Sequence, residues 1–121
     1  MLKMKRIYDP PGEADGERFL VDRLWPRGVK KQDAQLADWL KDLAPSHELR
    51  RWFSHNPDRW PEFQRRYRAE LEDAEKAALL QDLIDRARQG TVTLVFAARD
   101  PERNNAAVLK QFLEARLGSA D

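Results

Sequence analysis

Thr91-Val92-Thr93-Leu94-Val95-Phe96-Ala97 is the stretch that decides the fold. Its residues are β-branched or apolar almost without interruption, and Gly90 stands just before it, as expected of a strand covered on both faces. Upstream, Leu80, Leu83, Ile84 and Ala87 recur at helical spacing, and Phe63, Tyr67, Leu71 and Ala74 do the same before them. One long helix or two is therefore expected between Asn56-Pro57 and Gly90. Downstream, Asp100 is placed to cap, and Pro101 to open, a last helix that buries Val108, Leu109, Phe112 and Leu113. The strand should lie centrally, between helices.

The N-terminal half supplies its partners. Residues 3–8 and 17–23 read as short strands, separated by Asp9-Pro10-Pro11-Gly12, which cannot continue a helix. In residues 37–44, Trp39, Leu40 and Leu43 suit a helical face, but the shortness of the segment before Pro45 favours a strand. Ser46 can cap a short helix in which Leu49, Trp52 and Phe53 share a face, ending near His55. Strands alternating with helices predict an α/β fold. The expectation is a small, mainly parallel sheet of three or four strands flanked by helices, a single three-layer domain over residues 1–121, with the first two strands able to pair either way.

Composition narrows the function classes. Hydrophobic residues make up 41% and charged residues 36% of 121, enough for one core inside a heavily solvated exterior. Lys and Arg number 22 against 21 for Asp and Glu, so no net field draws nucleic acid or an anionic membrane, and such binding would need a local patch. The absence of cysteine excludes disulfides, thiol nucleophiles and thiolate metal sites. No apolar run approaches the ~20 residues needed to span a bilayer, and Met1-Leu2-Lys3-Met4-Lys5-Arg6 lacks the apolar stretch of a signal peptide. A cytoplasmic protein with no membrane partner is expected; oligomeric state leaves no signal in the sequence.

In a parallel sheet, ligands bind beyond the carboxyl ends of the strands. Those ends carry Tyr8-Asp9, Asp22-Arg23 followed by Arg27-Gly28, Ser46, and Arg99-Asp100 with Asn104-Asn105. Arg23, Arg27 and Arg50 could hold a carboxylate or phosphate through paired guanidinium N–H groups, or could merely pair with nearby acids. Ser46 stands at a helix N-terminus, a natural anion site, or only caps it. Asp22, His55 and Asp100 are the candidates for proton transfer, set against a counterion, a packed histidine and a cap. Tyr8, Arg99 and Asn104 complete the candidate ligand-binding set, with Asn104 and Asn105 suited to a sugar or base. Glycine-rich phosphate loops, dinucleotide fingerprints, paired-histidine zinc motifs and serine nucleophile elbows are all missing, so no cofactor and no metal is expected. The aromatics Trp60, Phe63 and Tyr67 among the arginines of residues 59–68 have helical spacing and read as core before they read as a nucleic-acid surface.

Several motifs in one order resemble the family called domain of unknown function 488, the YeaO-like proteins. They are Arg6-Ile7-Tyr8-Asp9-Pro10-Pro11, Leu20 to Gly28, Trp39 to Ser46, Glu48-Leu49-Arg50 with Trp52-Phe53 and His55, and Thr93 to Ala98, covering almost the whole chain. The resemblance implies an intracellular α/β fold and no particular reaction. Relatives often show a His-Asn pair at the start of the last helix where this chain has Arg103-Asn104, which weakens an acid–base role there. The leading expectation is a cleft for a small phosphate-bearing or nucleotide-like anion, with a hydrolytic reaction open to it. The alternative is a non-catalytic module that binds nucleic acid or regulates a partner.

Overall fold

The computed structural model describes residues 1–118; the last three positions of the expected 1–121 domain lie outside the described residues. Four strands, β1 (Leu2–Arg6), β2 (Glu17–Leu20), β3 (Asp38–Trp39) and β4 (Val92–Phe96), form one sheet in the order β1-β4-β2-β3. Every pairing is parallel, and β1 and β2 each pair with β4 instead of with each other. All five residues of β4 are buried, in keeping with the apolar run that predicted its central place.

The two faces of the sheet are covered unequally. On the first, Val92, Leu94 and Phe96 pack beneath α2 (His47–Phe53), α3 (Trp60–Leu71), α4 (Ala77–Gln89) and α5 (Asn105–Gly118), which supply Tyr67, Leu83, Leu109 and Leu113 to the main core. The second face is thinner. There α1 (Lys31–Ala34) and the chain around it set Ala34, Trp25, Val29 and Leu36 against Ile7 and Val95.

A polar row crosses that thin side, where Arg18 and Lys3 lie in register with Thr93. Arg18 and Asp15 are both buried, and Arg18 Nη1 donates to Asp15 Oδ2 at 2.7 Å while Lys5 Nζ lies 2.9 Å from Oδ1. Gly12 N also donates to Asp15 (3.0 Å), and Thr93 Oγ1 donates to the Asp15 carbonyl (2.7 Å). The loop is thereby fastened to the sheet, and Gly16 (φ 62°) passes so near β4 that a Cβ there would lie 2.1 Å from the Thr91 carbonyl. Glycine is required at that crossing.

Two sequence expectations need adjustment, and a third is narrowed to one of its alternatives. Residues 37–44 yield only the two-residue β3, followed by a 3₁₀ turn over Lys41–Leu43 that buries Leu43. The helical region upstream of Gly90 divides at Asp73, whose side chain accepts from Glu75 N, into α3 and α4. The last helix begins at Asn105, four residues later than the Asp100-Pro101 signal suggested. Asp100 Oδ1 caps only a local turn, accepting from Glu102 N and Arg103 N, whereas buried Asn104 accepts from Ala107 N and caps the helix proper. Among the described residues, no helix is long and apolar enough to cross a membrane.

Removing the Asp15 carboxylate leaves Arg18 charged and buried without its counterion. Asp15→Ala is expected to cost about 3–5 kcal/mol in urea denaturation, and a cost within about 0.5 kcal/mol contradicts the tie. Burial pushes the Asp15 carboxyl up, but donation from Lys5, Gly12 and Arg18 outweighs it and holds the pKa at about 2, below the usual 3.8. Its stabilising contribution is therefore complete above about pH 4 and fades as pH falls towards 2.

Candidate functional site

The carboxyl ends of β2 and β4 meet the start of α5 and the end of α2 around a cleft of about 910 Å³. Its floor is organised by Asp22, the second residue after β2. Asp22 Oδ2 accepts from Ala97 N at 2.9 Å, just past β4, and Oδ1 accepts from Asn105 Nδ2 at 3.0 Å. Asn105 Nδ2 also donates to the Val21 carbonyl (2.9 Å), and Trp39 Nε1 donates to the Asp22 carbonyl (2.7 Å). One carboxylate thus joins two strands and a helix. Burial pushes its pKa above the ordinary carboxylate value, against the downward pull of Asn105, of the Ala97 N–H, and of the charges on His55 and Arg50.

Arginines make the walls. Arg23 Nε donates to the Pro45 carbonyl (2.9 Å) and Nη2 to the Ala44 carbonyl (3.2 Å), so it braces the turn into α2 and pairs with no acid. Arg50 Nη2 lies 3.4 Å from His47 Nδ1. The side chains of Arg27, Arg51 and Arg99 line the cleft, are exposed, and have no hydrogen-bond or ion-pair partner among the described residues. The lining thus holds five guanidinium groups and His55 against the carboxylates of Asp22 and Asp100. Arg6, outside the lining, fixes the end of β4 through the carbonyls of Ala98 (2.9 Å) and Ala97 (3.3 Å). Among the described residues, no cluster of His, Asp and Glu is arranged to hold a metal ion.

Of the candidates drawn from sequence, Asp22, Arg23, Arg27, Arg50, His55, Arg99, Asp100 and Asn104 share this cleft. Tyr8 and Ser46 do not. Tyr8 is exposed, donating its hydroxyl to the Arg27 carbonyl at 2.9 Å beneath the Arg6 guanidinium. Ser46 caps α2, accepting from Leu49 N, and its own N–H and hydroxyl donate to Glu70 at 2.8 and 2.6 Å. The anion at that helix end is the protein's own carboxylate. Asp100 and Asn104 face the cleft with their polar atoms engaged: Asp100 holds its local turn, and Asn104 Nδ2 donates back to the Asp100 carbonyl (2.9 Å). The backbone N–H groups of Arg103 and Glu102 hold the Asp100 carboxyl below its usual pKa.

Sequence reading did not separate Asn105 from Asn104, nor single out Arg51. In the structure one asparagine caps and the next reaches Asp22. A helix beginning at residue 105 would have made that division visible, but the Asp-Pro signal pointed four residues upstream.

The fold and the cleft define a parallel-sheet α/β protein with a cation-rich pocket at the carboxyl edge of its strands. The chain belongs to the DUF488 family: residues 1–121 match the model described as "DUF488-N3i: Inactive DUF488-N3 subclade". It is similar to "Uncharacterized protein Rv3073c" of Mycobacterium tuberculosis (strain ATCC 25618 / H37Rv), 44% identical over 115 residues that cover 95% of each chain. It is also similar to "Uncharacterized protein YeaO" of Escherichia coli (strain K12), 40% identical over 114 residues, 94% of this chain and 97% of that one. No solved structure matches the chain.

If Asn105 is the side-chain donor that keeps Asp22 ionisable, Asn105→Ala should move the Asp22 pKa further up, measured by carboxyl ¹³C titration. The same change strands the Val21 carbonyl and should cost about 1–3 kcal/mol. An unchanged Asp22 titration contradicts the assignment.

Proposed function

We propose that this is a cytoplasmic binding protein whose strand-edge cleft holds a small phosphate-bearing ligand, nucleotide-like ligands among them, without turning it over. One observation carries the reading. In a chain of net charge +1, the cleft gathers five guanidinium groups around two carboxylates, and Arg27, Arg51 and Arg99 lack any partner there. Many arginines elsewhere are matched: Arg65 and Arg66 to Glu62, Arg86 to Asp82 and Glu17, Arg88 to Asp85, and Arg6 and Arg68 to a carbonyl or amide oxygen. The planar forks of guanidinium groups left free on a concave surface suit bidentate capture of a phosphate.

Binding without chemistry is favoured because the acids at hand are committed. Both oxygens of Asp22 accept from the protein, and Asp100 accepts from two backbone N–H groups. Arg103 stands where a relative's histidine would, 3.6 Å from Asp100. The description of the matched family as inactive agrees with this reading.

Ligand binding to the native state raises stability by RT ln(1 + [L]/Kd), about 2.7 kcal/mol at a hundredfold excess over Kd. Inorganic phosphate and adenosine monophosphate should each raise the melting temperature of the wild type. Arg27→Ala, Arg51→Ala and Arg99→Ala should each weaken affinity about tenfold, the loss of one charge-assisted hydrogen bond, while leaving the unliganded melting temperature nearly unchanged. Equal shifts in wild type and all three variants contradict the cleft. A log–log salt slope of many units, with single-stranded DNA bound in preference, points to a nucleic-acid module instead. Release of phosphate from adenosine monophosphate contradicts binding without turnover.

A further inference from the structure

We infer that the ligand is a phosphate ester of a flat apolar group, and that His55 is the residue that selects it, its imidazole stacking on the flat group while the phosphate lies among the guanidinium groups. This rests on the cleft being an anion site.

The first observation is backbone strain at the cleft's edge. Ser54 and His55, two successive non-glycine residues, both adopt left-handed conformations, with φ of 45° and 55°. One such residue suffices to end a helix, and Ser54 does so, donating its N–H to the Arg50 carbonyl at 3.0 Å. The turn into Asn56 is then closed by Asn56 N donating to the Phe53 carbonyl. His55 itself makes no hydrogen bond among the described residues. With Ser54 it forms the tight turn that the Asn56–Phe53 bond closes, and that turn sets His55 at the rim of the cleft. Residues held in sparsely populated backbone regions gather at ligand sites for this reason.

The second observation is what the ring touches. The imidazole centroid lies 5.9 Å from the Phe53 ring, which stacks on Phe63 at 4.4 Å, and Phe63 stacks on Trp60 at 5.6 Å. His55 is the outermost member of an aromatic row that leads from the core to the cleft. Phe53 and Phe63 line one side of that cleft, and Leu24, an apolar residue left 53% exposed, also lines it. A volume near 910 Å³ greatly exceeds what inorganic phosphate fills and falls within the range of clefts that take small organic ligands. A flat ring would stack on the His55 imidazole, extend the row and cover Leu24, with its phosphate among the guanidinium groups. Asp22, Arg50 and Arg51 are charged groups that line the cleft with His55.

Isothermal titration of the wild type, His55→Gly, His55→Asn and Gln35→Gly with phenyl phosphate and with inorganic phosphate tests this. Gln35 (φ 50°) closes α1, away from the cleft, so Gln35→Gly relieves comparable strain elsewhere. Both glycine variants should melt at higher temperature than the wild type. Phenyl phosphate should bind the wild type about tenfold or more tightly than inorganic phosphate. His55→Gly should lose most of that preference, His55→Asn should lose a smaller part, and Gln35→Gly should keep all of it. Equal affinity for the two ligands, or a preference that survives His55→Gly, overturns the inference while leaving an anion site in place. Binding of neither ligand overturns the anion site as well.

Discussion

The hydrogen bonds of the Asp22 carboxylate hold the functional edge of this molecule together. A carboxylate placed beyond the end of a parallel strand would ordinarily face water. Here its oxygens are taken by the N–H that leaves β4 and by the amide that opens α5, so the ends of β2, β4 and α5 share one buried charge. Truncating such a group strands its donors, which costs more than the bonds contribute. The cleft's floor is accordingly fixed, whereas its walls are long, exposed arginines able to adapt. Trp39, reaching the Asp22 carbonyl, ties the short β3 to the same point and meets Trp25 edge-on at 5.4 Å, anchoring the loop that carries Arg27.

Charge is arranged by the same logic of place. The buried pair of Arg18 and Asp15 fastens the thin face of the sheet, where an unpaired charge would be costly. On the helices, exposed pairs such as Arg86 with Asp82 contribute little each. In the cleft, Arg27, Arg51 and Arg99 have neither an acid nor a carbonyl partner among the described residues. Solvent tolerates them at little cost, so they do not destabilise the fold. A nearly neutral composition concealed this, because net charge sums over surfaces that do not face the same solvent.

Much of the fold was legible where periodicity is strong. The run from Thr91 to Ala97 announced a strand buried on both faces, and Ser46 with Leu49 and Phe53 announced α2. Legibility failed where two local signals competed. Asp100-Pro101 satisfies the rules for a helix start, but the tertiary bonds of Asn104 and Asn105 place the true start four residues on. Ser46 satisfied the rules for an anion site, yet Glu70, distant in sequence, occupies its donors; only the packing of α3 against α2 could reveal that. The strain at His55 had no sequence signal at all, since histidine carries no backbone preference strong enough to announce a left-handed turn.

A crystal structure of the protein grown with phenyl phosphate tests the central claim most directly. The account predicts phosphate density within hydrogen-bond reach of at least two among Arg27, Arg51 and Arg99, with the phenyl ring against His55, above an Asp22 that still accepts from Ala97 and Asn105. Those guanidinium groups folded onto the protein's own carboxylates, with the cleft empty of ligand, would contradict it.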